Sequence, residues 1–479
     1  MASFGRDDGE RDDGEHGDFG RGDFEAGDDP PSDGDGPGHV AADLPGPIPD
    51  DLSELFADSA VGTGLADGGY ARSTAEDDDL GAPASDLDDV LAVLDNPELV
   101  HARDPGRLLW ALATAGAQVR RAIAAAGERT RGAPAEPAPR AVLVATDSSA
   151  SVAGAVLAQL GGGTAAVLDW RTAELPRWAG PADVLLAASV DGRHPRVAML
   201  LADADRRGLS VVAVSPDDSP VAAAAGRGAR VPIEPPAHRR ASLWTMLTPL
   251  LIAARDLGVV TVDDDELVDV ADSLDAVAAA CRPDSDAFGN AAKQLAVQIT
   301  ESDLVVAGCG PLSALAGRWL SDSLALMAGV GAVALALPDD LAEAGALLEI
   351  APSGPATTTT DDFFRDRTEG TTRRRRLLIL PEYGVDGATN GPAPDRSGLL
   401  ASRMSGGSDL HDIAASRAAG ALDDIASARG IGSGRPELPG RSPLAHFAAA
   451  TAFGDFTAAY TAIGRGVDPG AVRAGELPF

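Results

Sequence analysis

Two short segments rich in serine, aspartate and glycine carry the residue types that bind anions. Residues 146–151 (TDSSAS) follow an apolar run at 141–145, and residues 189–194 (SVDGRH) follow an apolar run at 184–188. Hydroxyl groups and the free backbone N–H groups at the start of a helix receive phosphates or carboxylates, and glycine lets the backbone come close to the ligand. These segments therefore predict recognition of a small anionic molecule.

The second segment lies inside a strand, helix, strand unit at residues 183–215. Its first apolar run is too short for a helix, and apolar residues then recur at helical spacing up to a stop at Gly208. Residues 211–214 are rich in β-branched side chains, as expected of a buried parallel strand. Ligands of open parallel sheets usually sit at the carboxyl ends of the strands. The pattern predicts an α/β fold in which the loop at 189–194 faces the ligand.

Two aspartates within these segments oppose phosphate binding. Asp147 and Asp191 would each place a carboxylate near the anion, and a close pair of like charges costs on the order of several kcal/mol when partly desolvated. Arg193 or a protonated His194 could offset this repulsion. An alternative for Asp147 and its neighbouring serines is that they are ordinary helix N-caps.

Charge is distributed unevenly along the 479 residues, whose formal net charge is −34. Residues 1–90 contain 26 acidic residues and 4 arginines, which leaves a net charge of −12 on the remaining 389. This balance argues against a nucleic-acid partner, because phosphate backbones require a basic surface. The exception is the arginine run at 373–376, which we expect to be a solvated loop before a strand at 377–380, with anion contact as the alternative.

The cysteines indicate whether the chain binds a metal, and the apolar runs indicate whether it enters a membrane. Cys281 and Cys309 have neither metal-ligand spacing nor a paired framework, so both are expected to be buried thiols. The amino terminus lacks the apolar core of a signal peptide, and the longest apolar run, at 324–337, has 14 residues, too few to span a membrane. The expectation is a cytoplasmic protein that has no membrane segment and requires no metal or cofactor.

Composition divides the chain into three parts. Residues 1–82 combine high charge with few aliphatic side chains, so we expect a disordered acidic tail. Residues 83–258 and 259–479 each contain alternating strand and helix patterns, which predicts two α/β domains. Loops are predicted at 351–375 and 384–407, where threonine, proline, glycine and arginine predominate.

Several motifs resemble those of the bifunctional phosphoglucose/phosphomannose isomerase family, especially its TobH-type members, which are built from sugar isomerase (SIS) domains. Ser189 and Gly192 match the family's phosphate loop, with His194 at its threonine position, and Ser149 matches the serine of a second anion-binding turn. Arg240, with Arg239 as the competing candidate, matches an arginine that supports charge on the enediolate. The closing segment at 442–469 resembles the family's last helix through the following residues: Gly454, Asp455, Phe456, Tyr460, Gly466 and Pro469.

The resemblance implies two tandem SIS-type doubly wound parallel sheets and a sugar-phosphate ligand, and it leaves room for a homodimer. It also shows which catalytic groups are missing. Ala325 stands near the position of the family's glutamate base, beyond the Arg-Trp pair at 318–319, and no histidine occurs between His238 and His411. A lysine near the end of the family sequence is also unmatched. Loss of an acid or base typically costs on the order of 10²-fold in rate.

We therefore predict a carbohydrate-derivative binding protein whose isomerase chemistry is weak or lost, with Ser149, Ser189, Gly192, His194 and Arg240 as binding residues and no catalytic residue retained. Two alternatives stay open. The chain could be a working isomerase that uses substitute groups: His194, Asp339 or Glu343. It could also be a non-catalytic structural or regulatory partner of another protein. The resemblance leaves open whether any enzymatic activity remains.

Overall fold

The structure is a computed structural model, and it describes residues 87–127, 138–161, 163, 165–350, 374–384 and 408–472, with side chains from 411 onward in the last range. The predicted disordered tail lies outside the described residues. So do most of the loops predicted at 351–375 and 384–407.

The first sheet contains five parallel strands in the order β2-β1-β3-β4-β5, and every neighbouring pair is parallel. The two central strands are buried at every position because helices cover both faces of the sheet. The strands predicted at 141–145, 184–188 and 211–214 agree with the observed β1, β3 and β4 to within about one residue at each end. The strands are β1 (Ala141–Thr146), β2 (Ala166–Asp169), β3 (Asp183–Ala188), β4 (Ser210–Ser215) and β5 (Ala229–Pro232).

Helices precede, cover and follow this sheet. Two short 3-10 turns, Ser148–Ala150 and Arg239–Ala241, come before α5 and α8 respectively. The helices are α1 (Leu87–Leu94), α2 (Pro97–Ala102), α3 (Leu108–Leu112), α4 (Ala115–Gly127), α5 (Ala153–Leu160), α6 (Pro195–Arg207), α7 (Pro220–Ala224) and α8 (Leu243–Asp256).

The second sheet has four described strands in the order β7-β6-β8-β9, again all parallel. Its strands are β6 (Ser302–Cys309), β7 (Ala332–Leu337), β8 (Arg374–Leu380) and β9 (Gly432–Gly434). The accompanying helices are α9 (Asp264–Ala280), α10 (Ala291–Thr300), α11 (Pro311–Ala328), α12 (Leu341–Glu349), α13 (Ser408–Ala428) and α14 (Pro443–Gly464). The predicted α/β architecture with two doubly wound parallel sheets is confirmed.

The arginine run was wrongly predicted to be a solvated loop. Arg374, Arg375 and Arg376 lie in β8 and pair with the first residues of β6. Backbone pairing along β6 extends the strand beyond its apolar part, and this tertiary contact outweighs the low strand propensity of the arginines. Arg376 is partly buried, and burial lowers the pKa of its guanidinium.

The central structural element is α14, in which every residue from Leu444 to Gly464 is buried. A helix that is apolar on all sides is expected in the interior of a large core. It packs against α9, α10 and α11, and also against α1 and α3 from the amino-terminal side of the chain. Phe447 makes an edge contact with Trp244 of α8 at 6.2 Å between ring centroids. None of the described helices is long and apolar enough to cross a bilayer.

The strand orders create two crevices. Chain connections leave β1 and β3 in opposite directions, and they also leave β6 and β8 in opposite directions. The loops at the carboxyl ends of such strand pairs separate, which is where ligands bind in open α/β sheets. The loops at 147–151 and 189–194 both lie at the first of these crevices, so the fold brings together the two segments singled out in the sequence.

Candidate functional site

Asp147 joins the two loops of the first crevice. Its carboxylate follows β1 directly and is 1% exposed. Oδ1 accepts a 2.9 Å hydrogen bond from the backbone N–H of Ser149, and Oδ2 accepts one of 2.9 Å from the backbone N–H of Val190 in the other loop. The alternative interpretation of Asp147 as an N-cap is therefore correct, and the residue additionally cross-links the crevice.

Gly192 forms the tight turn of the second loop. Its backbone N–H donates to the Ser189 carbonyl at 3.2 Å, and its φ of +67° lies in the region that favours glycine. A Cβ at this position would lie 2.3 Å from the Ser219 side chain. Both the backbone conformation and the neighbouring side chain therefore require glycine here.

Asp191 accepts hydrogen bonds from the groups of this loop that would otherwise bind an anion. Oδ1 accepts hydrogen bonds from the backbone N–H of Arg193 at 3.0 Å and from the Ser189 hydroxyl at 3.3 Å. Burial raises the pKa of Asp191, but the Arg193 N–H and the Arg239 guanidinium outweigh burial and lower that pKa below its usual value. The carboxylate is therefore ionised at neutral pH and serves as the loop's internal anion.

Arg239 is the cation that neutralises this pair of aspartates. Its Nη1 lies 2.7 Å from Asp191 Oδ2, and its Nη2 lies 3.6 Å from Asp147 Oδ2. The arginine starts the 3-10 turn before α8, where its carbonyl accepts a 2.6 Å hydrogen bond from the Ser242 hydroxyl. The sequence suggested that Arg193 or a protonated His194 would offset the aspartates, whereas the fold places Arg239 in that role.

His194 lies at the N-cap of α6 and is half-buried. Its Nδ1 is buried and makes no hydrogen bond with any of the described residues. Burial is the largest cause that lowers the pKa of His194, and the nearby Asp147 only partly opposes it. The imidazole is thus neutral at pH 7, so it supplies no positive charge to the crevice.

Ser149 and Arg240 are the two remaining predicted binding residues. Ser149 donates its backbone N–H to the Asp147 carboxylate, and the residue is partly exposed. Arg240 is 8% exposed and points the other way, donating to the carbonyls of Pro469 and Ala471. It lines a small cavity of about 10 Å³ together with Asp455. That volume suits about one water molecule. Of the two adjacent arginines, Arg239 contacts the predicted binding loop and Arg240 fastens the carboxyl-terminal segment.

The structure also locates the positions considered for acid and base chemistry. Ala325, which stands near the position that the resemblance gives to the family's base, is an exposed residue of α11. Asp339 and Glu343 follow β7 at the edge of the second sheet, and both are exposed. Within the described part of the chain, no cluster of three histidine, cysteine or acidic side chains could hold a metal ion.

Residues 399–475 match the sequence profile of the bacterial phospho-glucose isomerase C-terminal SIS domain. No curated protein sequence matches the chain. Among solved structures, a hypothetical protein from Thermus thermophilus superposes with a TM-score of 0.51 at 13% identity, covering 80% of this chain and 91% of that one. A glucose-6-phosphate isomerase from Chlamydia trachomatis superposes with a TM-score of 0.50 at 13% identity, covering 80% of this chain and 82% of that one.

These comparisons establish the fold. Each of the two superpositions covers 80% of this chain, and the profile match includes α13, β9 and α14. The chain therefore consists of tandem SIS-type α/β units. At such low identity, the likeness assigns no substrate or reaction.

Proposed function

We propose that the chain is a non-catalytic SIS-fold protein that binds a sugar phosphate or a related carbohydrate derivative. The ligand's phosphate would take the place of the Asp191 carboxylate, with the Ser189 hydroxyl, the backbone N–H of Arg193 and the Arg239 guanidinium as its partners. The observation that carries this proposal is the position of Asp191, because a carboxylate held by all three groups occupies the arrangement that an anionic ligand would require.

Exchange of Asp191 for a phosphate is energetically accessible. The Asp191 side chain is 43% exposed and that of Arg239 is 35% exposed, so the pair contributes at most about 1 kcal/mol. A phosphate dianion carries more charge and accepts two parallel hydrogen bonds from a guanidinium. Asp147 stays in place because it is buried and holds two backbone N–H groups. Its charge opposes the ligand, so we expect millimolar rather than micromolar affinity.

The environment of the crevice gives no support for aldose–ketose isomerisation. The reaction needs a base within hydrogen-bond reach of the sugar carbon atoms and an acid for the ring oxygen. Asp147 and Asp191 both accept hydrogen bonds and both lie close to Arg239. His194 is therefore the one neutral titratable side chain of the described loop. A single group does not supply both functions.

Isothermal titration with glucose 6-phosphate, mannose 6-phosphate and fructose 6-phosphate tests the binding proposal. Removing the internal anion by Asp191→Ser should tighten binding of at least one ligand by about tenfold or more, because a like charge is lost from the site. Adding Arg239→Gln to that variant should abolish the gain. Asp218→Ser, in an exposed loop after β4, matches the change in net charge and should leave the affinity unchanged.

Two outcomes would contradict the proposal. Binding of none of the three ligands at millimolar concentration by the Asp191→Ser variant would remove the anion site. Conversion of mannose 6-phosphate or glucose 6-phosphate to the ketose at an ordinary enzymatic rate, in a coupled assay with the wild-type chain, would show that the acid and base groups have been replaced rather than lost.

Three further assignments belong to this proposal. The resemblance of the closing helix supports placement among the TobH-type members of the isomerase family. The composition supports domains at residues 83–258 and 259–479 behind an acidic tail at 1–82. A cytoplasmic location and the absence of a cofactor requirement complete the expectation.

A further inference from the structure

The crevice of the second sheet contains polar groups that the sequence comparison did not point to. Glu382 follows β8 directly, and its Oε2 accepts a 3.0 Å hydrogen bond from the backbone N–H of Ser313 in the first turn of α11. The Ser313 hydroxyl donates to the Pro381 carbonyl at 2.6 Å. The Glu382 carboxylate thus occupies the amino end of the 18-residue helix α11. In the first crevice, Asp147 and Asp191 likewise accept hydrogen bonds from backbone N–H groups.

His446, in the first turn of α14, lies close to Pro381 and Tyr383, the residues on either side of Glu382 in the chain. It is 4% exposed, and neither ring nitrogen makes a hydrogen bond of acceptable geometry with any of the described residues. The carbonyl of Pro381 is close enough to raise the pKa of His446, although burial lowers it by more. A buried imidazole without hydrogen bonds is destabilising, so its retention in this position points to a ligand.

Tyr383 completes the group. Its ring centroid lies 6.5 Å from that of His446 at an interplanar angle of 57°, and the residue is 36% exposed. The crevice thus combines a carboxylate, a neutral imidazole with one donor and one acceptor, and an accessible aromatic face. The hydroxyl groups of a sugar form hydrogen bonds with carboxylates and imidazoles, and the C–H face of a sugar packs on an aromatic ring.

The charges in this crevice exclude anions. Glu382 is negative when ionised, and Asp412 of α13 is near enough to raise the pKa of that carboxyl further, after burial as the largest cause. None of the ion pairs between described residues involves Glu382. A phosphate would therefore meet repulsion here without the compensation that Arg239 provides in the first crevice.

We propose that the crevice at the carboxyl ends of β6 and β8 is a second binding site, and that it takes an uncharged polyhydroxylated molecule such as a free hexose. Glu382 and His446 would hydrogen-bond its hydroxyl groups, and Tyr383 would pack against its ring. The site is separate from the anion-binding loop and does not depend on the function proposed for that loop.

The test uses the full chain with histidine labelled at ¹³Cε1, titrated with D-glucose, D-mannose and D-fructose. The resonance that disappears in His446→Phe is assigned to His446, and it should shift with a millimolar dissociation constant for at least one sugar. Tyr383→Ala should weaken that binding by about tenfold, the scale of one lost aromatic contact. His101→Phe, at an exposed position on α2, is the matched histidine control and should leave binding unchanged.

His446→Phe also reports on the role of the imidazole. If the variant folds, loss of sugar binding supports the proposal and unchanged binding overturns it. If His446→Phe does not fold, His446→Gln replaces it, because glutamine keeps a hydrogen-bond donor and an acceptor. His446→Gln should still bind the sugar, and adding Tyr383→Ala to it should weaken that binding. Absence of a His446 shift with all three sugars, or a shift as large with their 6-phosphates, would refute a site for neutral sugars. Arg239→Gln should not alter these titrations, so failure here is distinguishable from failure at the first crevice.

Discussion

The indole Nε1 of Trp319 donates a 2.8 Å hydrogen bond to Oδ1 of Asp455, deep between α11 and α14. The Ser323 hydroxyl donates to the same oxygen at 2.8 Å. Trp319 and Asp455 belong to motifs that the sequence comparison had associated with the isomerase family, the Arg-Trp pair and the Gly-Asp-Phe segment. Their contact gives these motifs a structural explanation, since each supports the interior packing of the two helices.

Burial of Asp455 makes stability depend on pH. Burial raises the pKa of this carboxyl to about 7 from an ordinary 3.8, although the two hydrogen bonds lower it. Because the folded-state pKa is the higher one, the folded chain binds the proton more tightly than the unfolded chain. The contribution to stability is fully present below about pH 4 and is lost as the pH rises through 7.

The variant Asp455→Asn should therefore be more stable than the wild type at pH 8 by about 3 kcal/mol, since asparagine keeps an acceptor for Trp319 and carries no charge. Urea unfolding of both chains between pH 5 and pH 8 measures the difference, which should grow with pH. Asp218→Asn, at an exposed position, provides the comparison. A difference for Asp455→Asn that is constant over this range would contradict the predicted titration.

Gly192→Ala should destabilise the fold through two separate causes. The positive φ costs roughly 1 kcal/mol for alanine, and the contact with Ser219 adds a further penalty of about 1–3 kcal/mol. Gly258 has a similar φ of +71°, and a Cβ there would meet nothing within 4 Å. Gly258→Ala thus measures the cost of the positive φ alone. Equal losses of unfolding free energy in the two variants would show that the Ser219 side chain moves aside without an energetic penalty.

Lys293 is a fully buried ammonium group whose Nζ donates to the carbonyls of Leu94, Pro283 and Ser285 at 2.6 to 2.8 Å. Lys293→Met would leave these carbonyls without their donor, so we expect a loss of about 2–4 kcal/mol in unfolding free energy.

Arg282→Met removes a neighbouring cation whose side chain is 64% exposed. Its effect should stay within about 0.5 kcal/mol, as is usual for surface positions. Denaturant unfolding would measure both variants, and a Lys293→Met loss no larger than that of Arg282→Met would argue against the buried network.

Neither cysteine should react in the folded chain. Cys281 and Cys309 are both buried, and burial raises the pKa of Cys281 to about 12. Since the thiolate is the reactive form, alkylation by iodoacetamide at pH 8 should require unfolding. Mass spectrometry of native and urea-treated samples tests this, and rapid labelling of either cysteine in the native chain would refute it.

Sequence reasoning located the strands because a buried parallel strand is apolar at consecutive positions, as β1 and β3 are. It failed for Arg374–Arg376, where pairing with β6 decides the structure and local propensity does not. It favoured Arg240 over Arg239, whereas Arg239 is the one that contacts the binding loop, since the direction of adjacent side chains depends on the 3-10 turn that contains them. Glu382 was missed because it is distant in sequence from Ser313 and only the fold brings them together.

The buried position of α14 also constrains how the chain is made. Its neighbours include α1, α3 and α8, which leave the ribosome long before it does. The helix supplies apolar surface to the amino-terminal helices as well as to those of the second half, so neither group has its complete hydrophobic surroundings while α14 is still inside the exit tunnel. Completion of the tertiary structure must therefore follow translation of α14, and a chain cut before Pro443 should expose apolar surface on α1, α3, α9, α10 and α11.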